Sequence, residues 1–354
     1  MAASLMQAAL RRSLDQVRHV TPVRMSAADD TVGRVYRQAE RDFGMLAPPL
    51  ALHSPAPGPL AASWMMLRES LLADGKVSRA TKEAVAAAVS LGNACPYCIT
   101  VHAATLSGLL DSPTAAAVSA DRISEIADPR TRAIADWARR SGSRPDSRSS
   151  QPPFTEEQAP EIAGVAVTFH YLNRMVDIFL TDSPLPPAVP ALARGGLLRV
   201  LGRFMSASAR AAHQPGASLE LLPAAALPPD LWWAAGSPHV AEAFARAGAA
   251  IEAAGRQFVP APVQAVLRTR LADWDGGPQG VSRSWVDAEV RALPDRQRAT
   301  GRLVLLTALA SYQIDEPVIE AFRNEQPGDE ALIATTSWAS MAAARQVGSW
   351  LRIS

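Results

Sequence analysis

The chain has 354 residues, of which 48% are hydrophobic and 19% are charged, and its formal net charge is +1. This length exceeds what one hydrophobic core usually supports, so two domains or a repeat are expected. The composition is too apolar for a disordered chain, and the balanced charge creates no general attraction for nucleic acid or an anionic membrane. These properties predict a globular protein with neither a nucleic-acid nor a membrane partner.

The first 20 residues do not show the order of a signal peptide, in which a basic segment precedes an apolar core and a cleavage site. Their apolar pattern instead predicts a short amphipathic helix over 5–17, within an N-terminal helical arm that covers 1–50. No run of 18 apolar residues occurs in the sequence, so no membrane-spanning helix is predicted. We therefore expect a cytoplasmic protein, in a reducing compartment where a C-x-x-C pair is more often catalytic or metal-binding than structural.

Apolar residues recur every three to four positions through most of the chain, and no segment alternates as a half-buried strand does. Ser78, with Thr81 and Glu83 behind it, is typical of a helix start, and Gly92-Asn93 is typical of a helix end. The pattern predicts an all-α fold. In chain order, helices are expected over 60–72, 80–91, 99–110, 130–140, 161–180, 239–254, 263–271, 287–293, 298–312 and 329–351.

The two halves of the chain can be aligned in the same order. Segments 54–72, 79–91, 128–133 and 161–180 resemble segments 237–254, 260–271, 294–299 and 330–351 respectively. This order predicts an internal duplication. The first copy would cover 51–182, a Pro/Gly-rich linker 183–230, and a degenerate second copy without cysteines 231–354.

The cysteine content points to one segment of the chain. Cys95 and Cys98 are the only two cysteines, Glu83 precedes Cys95 by twelve positions, and His102 follows Cys98 by four. A helix that begins at Cys95 would place both cysteines and His102 on one stripe. The positive helix end would lower the pKa of a first-turn cysteine, and the i, i+3 spacing would permit a disulfide. His102 could then accept the proton of Cys98, and Glu83 on the preceding helix could orient the imidazole.

Three other interpretations of the cysteine pair remain. The cysteines could be small buried hydrophobic residues, or they could bind zinc together with His102, although no fourth ligand is evident. The tetrapeptide C-P-Y-C also occurs in glutaredoxins, where it follows a β-strand. Here the preceding residues 83–89 have high helix propensity, which argues against a thioredoxin-like domain.

The motif residues resemble a known family. The sequence K-E-A-V at 82–85, C-P-Y-C at 95–98 and H-A at 102–103 is similar to that of the AhpD-like alkylhydroperoxidases of the carboxymuconolactone decarboxylase superfamily. The pattern of that family is a Glu, about a dozen residues, C-x-x-C, three residues and then His. The clear motif covers about 78–110, and the resemblance of the helical scaffold extends over about 57–351. Longer members of the family contain two copies of the helical unit with one active copy, which fits the proposed duplication.

This resemblance implies a set of roles for the motif residues. Cys98 would attack the peroxide, Cys95 would resolve the product as a disulfide, and His102 and Glu83 would form a proton relay. Tyr97 stands where the best-studied members have a His, and a phenol cannot act as an imidazole base. The superfamily's lactone decarboxylases lack the redox C-x-x-C, which argues against decarboxylation.

The resemblance also implies a function and partners. The substrate would be a hydroperoxide, and the reductant would be a lipoamide- or thioredoxin-type protein. No cofactor and no metal are expected, and the chain would form a homo-oligomer. Two alternatives stay open: a redox-sensing or scaffold member of the superfamily without turnover, and a thiol–disulfide reductase.

A second polar group of residues lies within the predicted helix 161–180. His170, Asn173, Arg174 and Asp177 share one face at i, i+3, i+4 and i+7. His170 and Asn173, together with Tyr97, could line a pocket beside the cysteines. The alternative for the helix face is a buried polar network or a subunit contact.

Overall fold

Helices form the regular structure of this protein. A computed structural model describes residues 13–28, 30–110, 112–145, 151–185, 189 and 191–351. Within those residues there are fifteen α-helices and no strand, which confirms the all-α prediction. The helices are α1 (Asp30–Asp42), α2 (Pro48–Ala51), α3 (Pro57–Leu67), α4 (Arg79–Gly92), α5 (Pro96–Leu109), α6 (Ser112–Ser119), α7 (Pro129–Arg140), α8 (Ala159–Phe179), α9 (Ala191–Ala209), α10 (Pro238–Phe258), α11 (Ala261–Asp273), α12 (Ser284–Val290), α13 (Arg298–Leu309), α14 (Glu316–Glu325) and α15 (Asp329–Trp350). None of the helices in these ranges is long and apolar enough to cross a membrane.

Local sequence signals define α4, the helix that carries Glu83. The Ser78 side chain accepts a hydrogen bond from the Thr81 backbone N–H at 3.2 Å, as the sequence predicted for a helix start. The helix ends at Gly92, where a Cβ would lie 2.2 Å from the Arg139 carbonyl oxygen at the end of α7. Glycine at this position therefore permits the close packing of α4 against α7.

A buried ion pair joins α4 to α8. The Lys82 ammonium lies 2.8 Å from a Glu161 carboxylate oxygen, and both side chains are almost fully buried. The same carboxylate accepts hydrogen bonds from the backbone N–H groups of Lys76 and Val77. Because each buried charge has several partners, the pair fixes the two helices relative to each other.

One hydrophobic core extends through both halves of the chain. Helix α3 packs against α10, and α8 packs against α15. Trp64 and Phe169 from the first half and Trp233 and Phe244 from the second belong to the same buried cluster. The counterpart segments of the proposed duplication are helical in the same order, but any all-α chain could meet that condition, so the duplication stays a prediction.

Two segments outside the predicted copies contribute to this core. Helix α1, in the predicted arm, buries Val35 and Tyr36 completely, and the arm is therefore integrated into the fold. Of the predicted helix 5–17, residues 5–12 lie outside the described residues, and Ser13–Gln16 form a 3-10 helix. The predicted linker 183–230 contains the 19-residue helix α9, which packs against α5. Because prolines and glycines lie at both ends of 183–230, the sequence predicted a linker there, although the segment between them is apolar.

Candidate active site

A sharp turn between α4 and α5 positions the two cysteines. Asn93 is the C-cap of α4, Ala94 adopts a left-handed conformation with φ +52°, and Cys95 is the N-cap of α5. Pro96 occupies the first helical position, where its missing N–H costs nothing. A left-handed alanine costs about 1–2 kcal/mol, so the surrounding structure must stabilise this turn.

A buried polar network provides that stabilisation. The Asn93 side-chain amide donates to Asn173 Oδ1 at 2.8 Å and lies 3.1 Å from His170 Nδ1. His170 Nε2 lies 2.9 Å from the Ser141 hydroxyl. Burial, with a smaller contribution from Arg174, lowers the pKa of His170 to about 3, so the imidazole is neutral. With Nδ1 accepting from Asn93, Nε2–H donates to Ser141.

The network places His170 and Asn173 below the turn, away from the pocket predicted for them. Neither residue is among the described residues that line the cavity at Cys98. Both are almost fully buried, because their polar atoms find partners within the protein. The buried-network alternative for this helix face is therefore the arrangement found, and the two residues position the cysteine turn.

The predicted relay pair is in direct contact. His102 Nδ1 lies 2.7 Å from Glu83 Oε2, and the Phe169 ring packs edge-on against the imidazole at 4.5 Å. Arg79 donates to the other Glu83 oxygen at 2.8 Å. Burial favours a higher pKa for Glu83, but the Arg79 charge and the hydrogen bonds with His102 and Arg79 outweigh it and hold that pKa below its usual range. Glu83 is therefore an ionised orienting group, and His102 Nε2 remains available for proton transfer.

An apolar cavity of about 70 Å³ reaches Cys98. Cys98 and His102, one turn apart on α5, both line it, and so does Tyr97 as predicted. Burial raises the pKa of the Tyr97 phenol well above its usual range, so this side chain is neutral. Aliphatic and aromatic side chains form most of the remaining wall, among them Phe43, Leu50, Leu67, Val101, Leu201 and Met205.

Cys95 has different surroundings from those of Cys98. It is 1% exposed, and it is absent from the described residues that line the cavity. Its hydrogen bond with the Cys98 thiol, followed by burial and the nearby Asp177 charge, raises the pKa of Cys95 well above its usual range. The expected lowering of a first-turn cysteine's pKa is therefore wrong for Cys95, because these effects outweigh the helix end.

Both thiols are free in the structure. The described ranges contain no group of three or more His, Cys, Asp or Glu side chains suited to hold a metal ion. The two thiols interact with each other, and the i, i+3 spacing of Cys95 and Cys98 is compatible with a disulfide.

Sequence reasoning missed two residues that contact the site. Arg79 lies four positions before Glu83 on α4, and an i, i+4 pair of opposite charges is a recognisable signal. Ser311 hydrogen-bonds to Asp177, which in turn contacts Cys95. No sequence pattern indicated this contact, since Ser311 lies in the second half of the chain.

Comparisons with known proteins show what this chain is similar to. The carboxymuconolactone decarboxylase family matches residues 58–140. The chain is 37% identical to the alkyl hydroperoxide reductase Rv2159c of Mycobacterium tuberculosis over 337 residues, which are 95% of each protein. The crystal structure of the alkylhydroperoxidase AhpD core of an uncharacterized peroxidase-related protein from Ralstonia eutropha JMP134 is 21% identical; the match has a TM-score of 0.43 and covers 53% of this chain and 97% of that chain. The extent of the mycobacterial match, together with the family match across the cysteine segment, places the chain in the AhpD-like alkylhydroperoxidase group of the carboxymuconolactone decarboxylase superfamily.

Proposed function

We propose that this protein is a thiol-dependent peroxidase. It reduces hydroperoxides through a disulfide between Cys95 and Cys98, and an external dithiol donor of the lipoamide or thioredoxin type reduces the disulfide again. The name of the mycobacterial relative, an alkyl hydroperoxide reductase, supports the general activity. A cytoplasmic location and a homo-oligomeric state stay predictions.

One observation carries the proposal: the two sulfurs differ in access. Cys98 lines an apolar cavity beside His102, whereas Cys95 is enclosed behind it. An organic hydroperoxide that enters the cavity would meet Cys98 first. The apolar wall would hold its alkyl group, and the polar atoms of Cys98 and His102 would face its O–O bond.

The first half of the cycle is the attack on peroxide. His102 Nε2 accepts the proton of Cys98, and the thiolate attacks the terminal peroxide oxygen. The S–O bond forms, the O–O bond breaks, and the proton held by His102 passes to the departing alkoxide, which leaves as an alcohol. Cys98 becomes a sulfenic acid. Glu83 holds the imidazole in the required orientation throughout, through its contact with Nδ1.

The second half of the cycle closes and reopens the disulfide. The Cys95 sulfur attacks the sulfenic sulfur of Cys98, the S–S bond forms, and water leaves. A donor thiolate then attacks the disulfide, and a second donor thiol completes the reduction of both cysteines.

The two alternatives fit the site less well. A scaffold or sensor that never turns over does not require His102 to line the same cavity as Cys98 while Glu83 holds its Nδ1. A reductase of protein disulfides needs an exposed sulfur, but Cys98 is only 4% exposed. Peroxide turnover accounts for both features.

The test is peroxide consumption by the purified protein and two cysteine variants. Cumene hydroperoxide and hydrogen peroxide are the substrates, with dithiothreitol, a lipoamide system and a thioredoxin system as parallel reductants. We expect consumption by the wild type, none by Cys98→Ser, and a single turnover by Cys95→Ser that leaves a sulfenic acid on Cys98. Mass spectrometry after dimedone labelling would identify that product.

The opposite labelling pattern would contradict the assignment. If Cys98→Ser retained a single turnover with a sulfenic acid on Cys95, the two cysteines would have exchanged roles. If the wild type consumed neither peroxide with any reductant, the peroxidase proposal would be wrong.

A further inference from the structure

Asp177 lies on the enclosed side of the cysteine pair. Its carboxyl group contacts the Cys95 thiol, and Ser311 Oγ donates a hydrogen bond to Asp177 Oδ2 at 2.7 Å. Asp177 retains partial exposure to solvent, whereas Cys95 is buried. His102, which Glu83 holds through Nδ1, lines the cavity on the Cys98 side. Each sulfur therefore has its own acid–base group.

The charged groups around Asp177 come from three segments. Arg174 lies one turn earlier on α8, Asp182 follows the same helix, and Arg18 donates to the Asp177 backbone carbonyl at 3.3 Å. Burial raises the pKa of Asp177 to about 7, although Ser311, Arg174 and the Cys95 contact oppose the increase. A carboxyl group that titrates near neutral pH can both accept and return a proton under working conditions.

We propose that Asp177 is the catalytic residue that takes the proton of Cys95 when the disulfide closes and returns it when the disulfide opens. This inference rests on the proposed function, since it assigns a role within the same cycle. Asp177 contacts the reacting sulfur directly. His102 cannot easily serve both cysteines, because its Nδ1 is engaged by Glu83 and its ring lies on the cavity side.

The closing step balances as follows. The Cys95 thiol transfers its proton to the Asp177 carboxylate, and the Cys95 sulfur is oxidised as it bonds to the Cys98 sulfur. The S–OH bond of the sulfenic acid breaks, its sulfur is reduced, and the hydroxide leaves as water with a proton that His102 takes up from solvent and passes on. Asp177 then releases its proton to solvent through its exposed side. On reduction the direction reverses, and protonated Asp177 neutralises the departing Cys95 thiolate.

The hydrogen bond from Ser311 gives the second half of the chain a part in this step. Ser311 follows α13 and begins the 3-10 helix Ser311–Gln313, which packs against α8. A hydroxyl that donates to the carboxylate favours its ionised form, which is the form that accepts a proton. The second half would therefore tune the chemistry of Cys95.

The experiment follows the two steps separately in Asp177→Asn, whose side chain can still accept the Ser311 hydrogen bond. Quenched-flow mass spectrometry after one equivalent of cumene hydroperoxide would measure sulfenic acid formation and disulfide closure. We expect sulfenic acid to form within about twofold of the wild-type rate and closure to slow at least about tenfold, the usual size of a lost general base. Sulfenic acid on Cys98 would then accumulate in the variant.

The pH profile distinguishes proton transfer from a structural defect. Closure in the wild type should accelerate as pH rises through about 7, because ionised Asp177 is the acceptor. Ser311→Ala removes a group that lowers the pKa of Asp177, so the inflection should move to higher pH. Asp182→Asn removes a charge that raises it, so the inflection should move to lower pH. A purely structural role would not produce shifts in opposite directions.

A peroxide-free assay separates this inference from the proposed function. Disulfide made with diamide is reduced by dithiothreitol, and Asp177→Asn should slow this reopening because the Cys95 thiolate lacks its proton donor. Slow reopening in a protein that ignores peroxide would support the role of Asp177 and contradict the peroxidase proposal. Wild-type rates of closure and reopening in Asp177→Asn, or pH inflections unmoved in the other two variants, would overturn the inference.

Discussion

The contact between His102 and Glu83 is the most directly testable feature at the scale of single residues. If this pair accepts the Cys98 proton, then His102→Gln and Glu83→Gln should each slow peroxide attack by at least about tenfold. The double variant should be little slower than either single one, because members of one relay fail together. Alkylation of Cys98 by iodoacetamide between pH 5 and 9, with Cys95 replaced by Ser in every protein, would measure the effect.

Tyr97→His is the matched variant for this series. It introduces an imidazole at the position where the superfamily's best-studied members have one, and it should leave the rate unchanged or raise it. Alkylation at the wild-type rate in both Gln variants would contradict the relay. The reactivity of Cys98 would then come from the helix end alone.

The sequence was sufficient to predict the contact between Glu83 and His102, because their positions on two successive helices determine which faces meet. The roles of these two residues and of the two cysteines stay predictions. The sequence was not sufficient to predict the left-handed Ala94, since the backbone conformation of a single residue follows from the surrounding packing. The sequence also did not predict that Asp177 lies beside Cys95. That contact depends on the rotation of α8 relative to the turn at 93–95. The helical pattern alone was compatible with either a pocket or a buried polar network at this face of α8.

At the scale of helices, the close contact of α9 with α5 forms one wall of the cavity. A Cβ at Gly202 of α9 would lie 2.5 Å from the Ala104 backbone oxygen of α5. Gly202→Ala should therefore push the two helices apart and lower the free energy of unfolding by about 1–3 kcal/mol. Since Leu201 and Met205 flank this glycine, the cavity at Cys98 should change shape as well.

Gly195→Ala in the same helix is the control, because no atom lies within 4 Å of its added Cβ. Alanine has the higher helix propensity, so this variant should gain up to about 1 kcal/mol. Urea denaturation and the rate with cumene hydroperoxide would measure both variants. Equal losses of stability in the two would show that α9 does not depend on its contact with α5.

The sequence predicted most helices well, because caps and apolar periodicity are local properties. Helix α9 was missed for a physical reason: Gly195, Gly196 and Gly202 lower its intrinsic propensity, and packing against α5 compensates. The same glycines that weaken the local signal permit the close approach at Gly202.

At the scale of the whole molecule, two buried neutral histidines should make the fold sensitive to acid. Burial lowers the pKa of His53 to about 4 and that of His170 to about 3. The pKa of a histidine in the unfolded chain is about 6.5, so below that pH the unfolded chain binds protons that the folded chain does not. Stability should fall as pH decreases from about 6.5 towards 3, by up to about 1.4 kcal/mol per pH unit for each histidine.

The pKa of Asp177 is raised in the folded protein, so between pH 7 and 4 the folded chain holds a proton that the unfolded chain lacks. This offsets about one of the two protons that His53 and His170 take up on unfolding. Urea unfolding at several pH values would measure the net slope. His53→Gln and His170→Gln should each flatten it, even where they lower stability at neutral pH. A slope that is the same in all three proteins would contradict this assignment.

The shared core limits what sequence alone can establish at this scale. Periodicity identified which helix faces are apolar, but it did not indicate that α3 would pack on α10 or α8 on α15. Such pairings depend on shape complementarity between distant segments. The division at 183–230 stays a prediction, and the buried apolar residues on both sides of it belong to one cluster.

The enclosure of both sulfurs also has a kinetic consequence. A thiol on a long, slender aliphatic arm, such as a lipoyl group, can enter the cavity and reach Cys98. Of the two proposed donor types, this favours the lipoamide type over the thioredoxin type, whose dithiol lies on the surface of a globular protein. We infer that oxidant and reductant use the same entrance one after the other. Turnover should then follow a ping-pong pattern, in which excess of an apolar hydroperoxide competes with the donor and inhibits its own reduction.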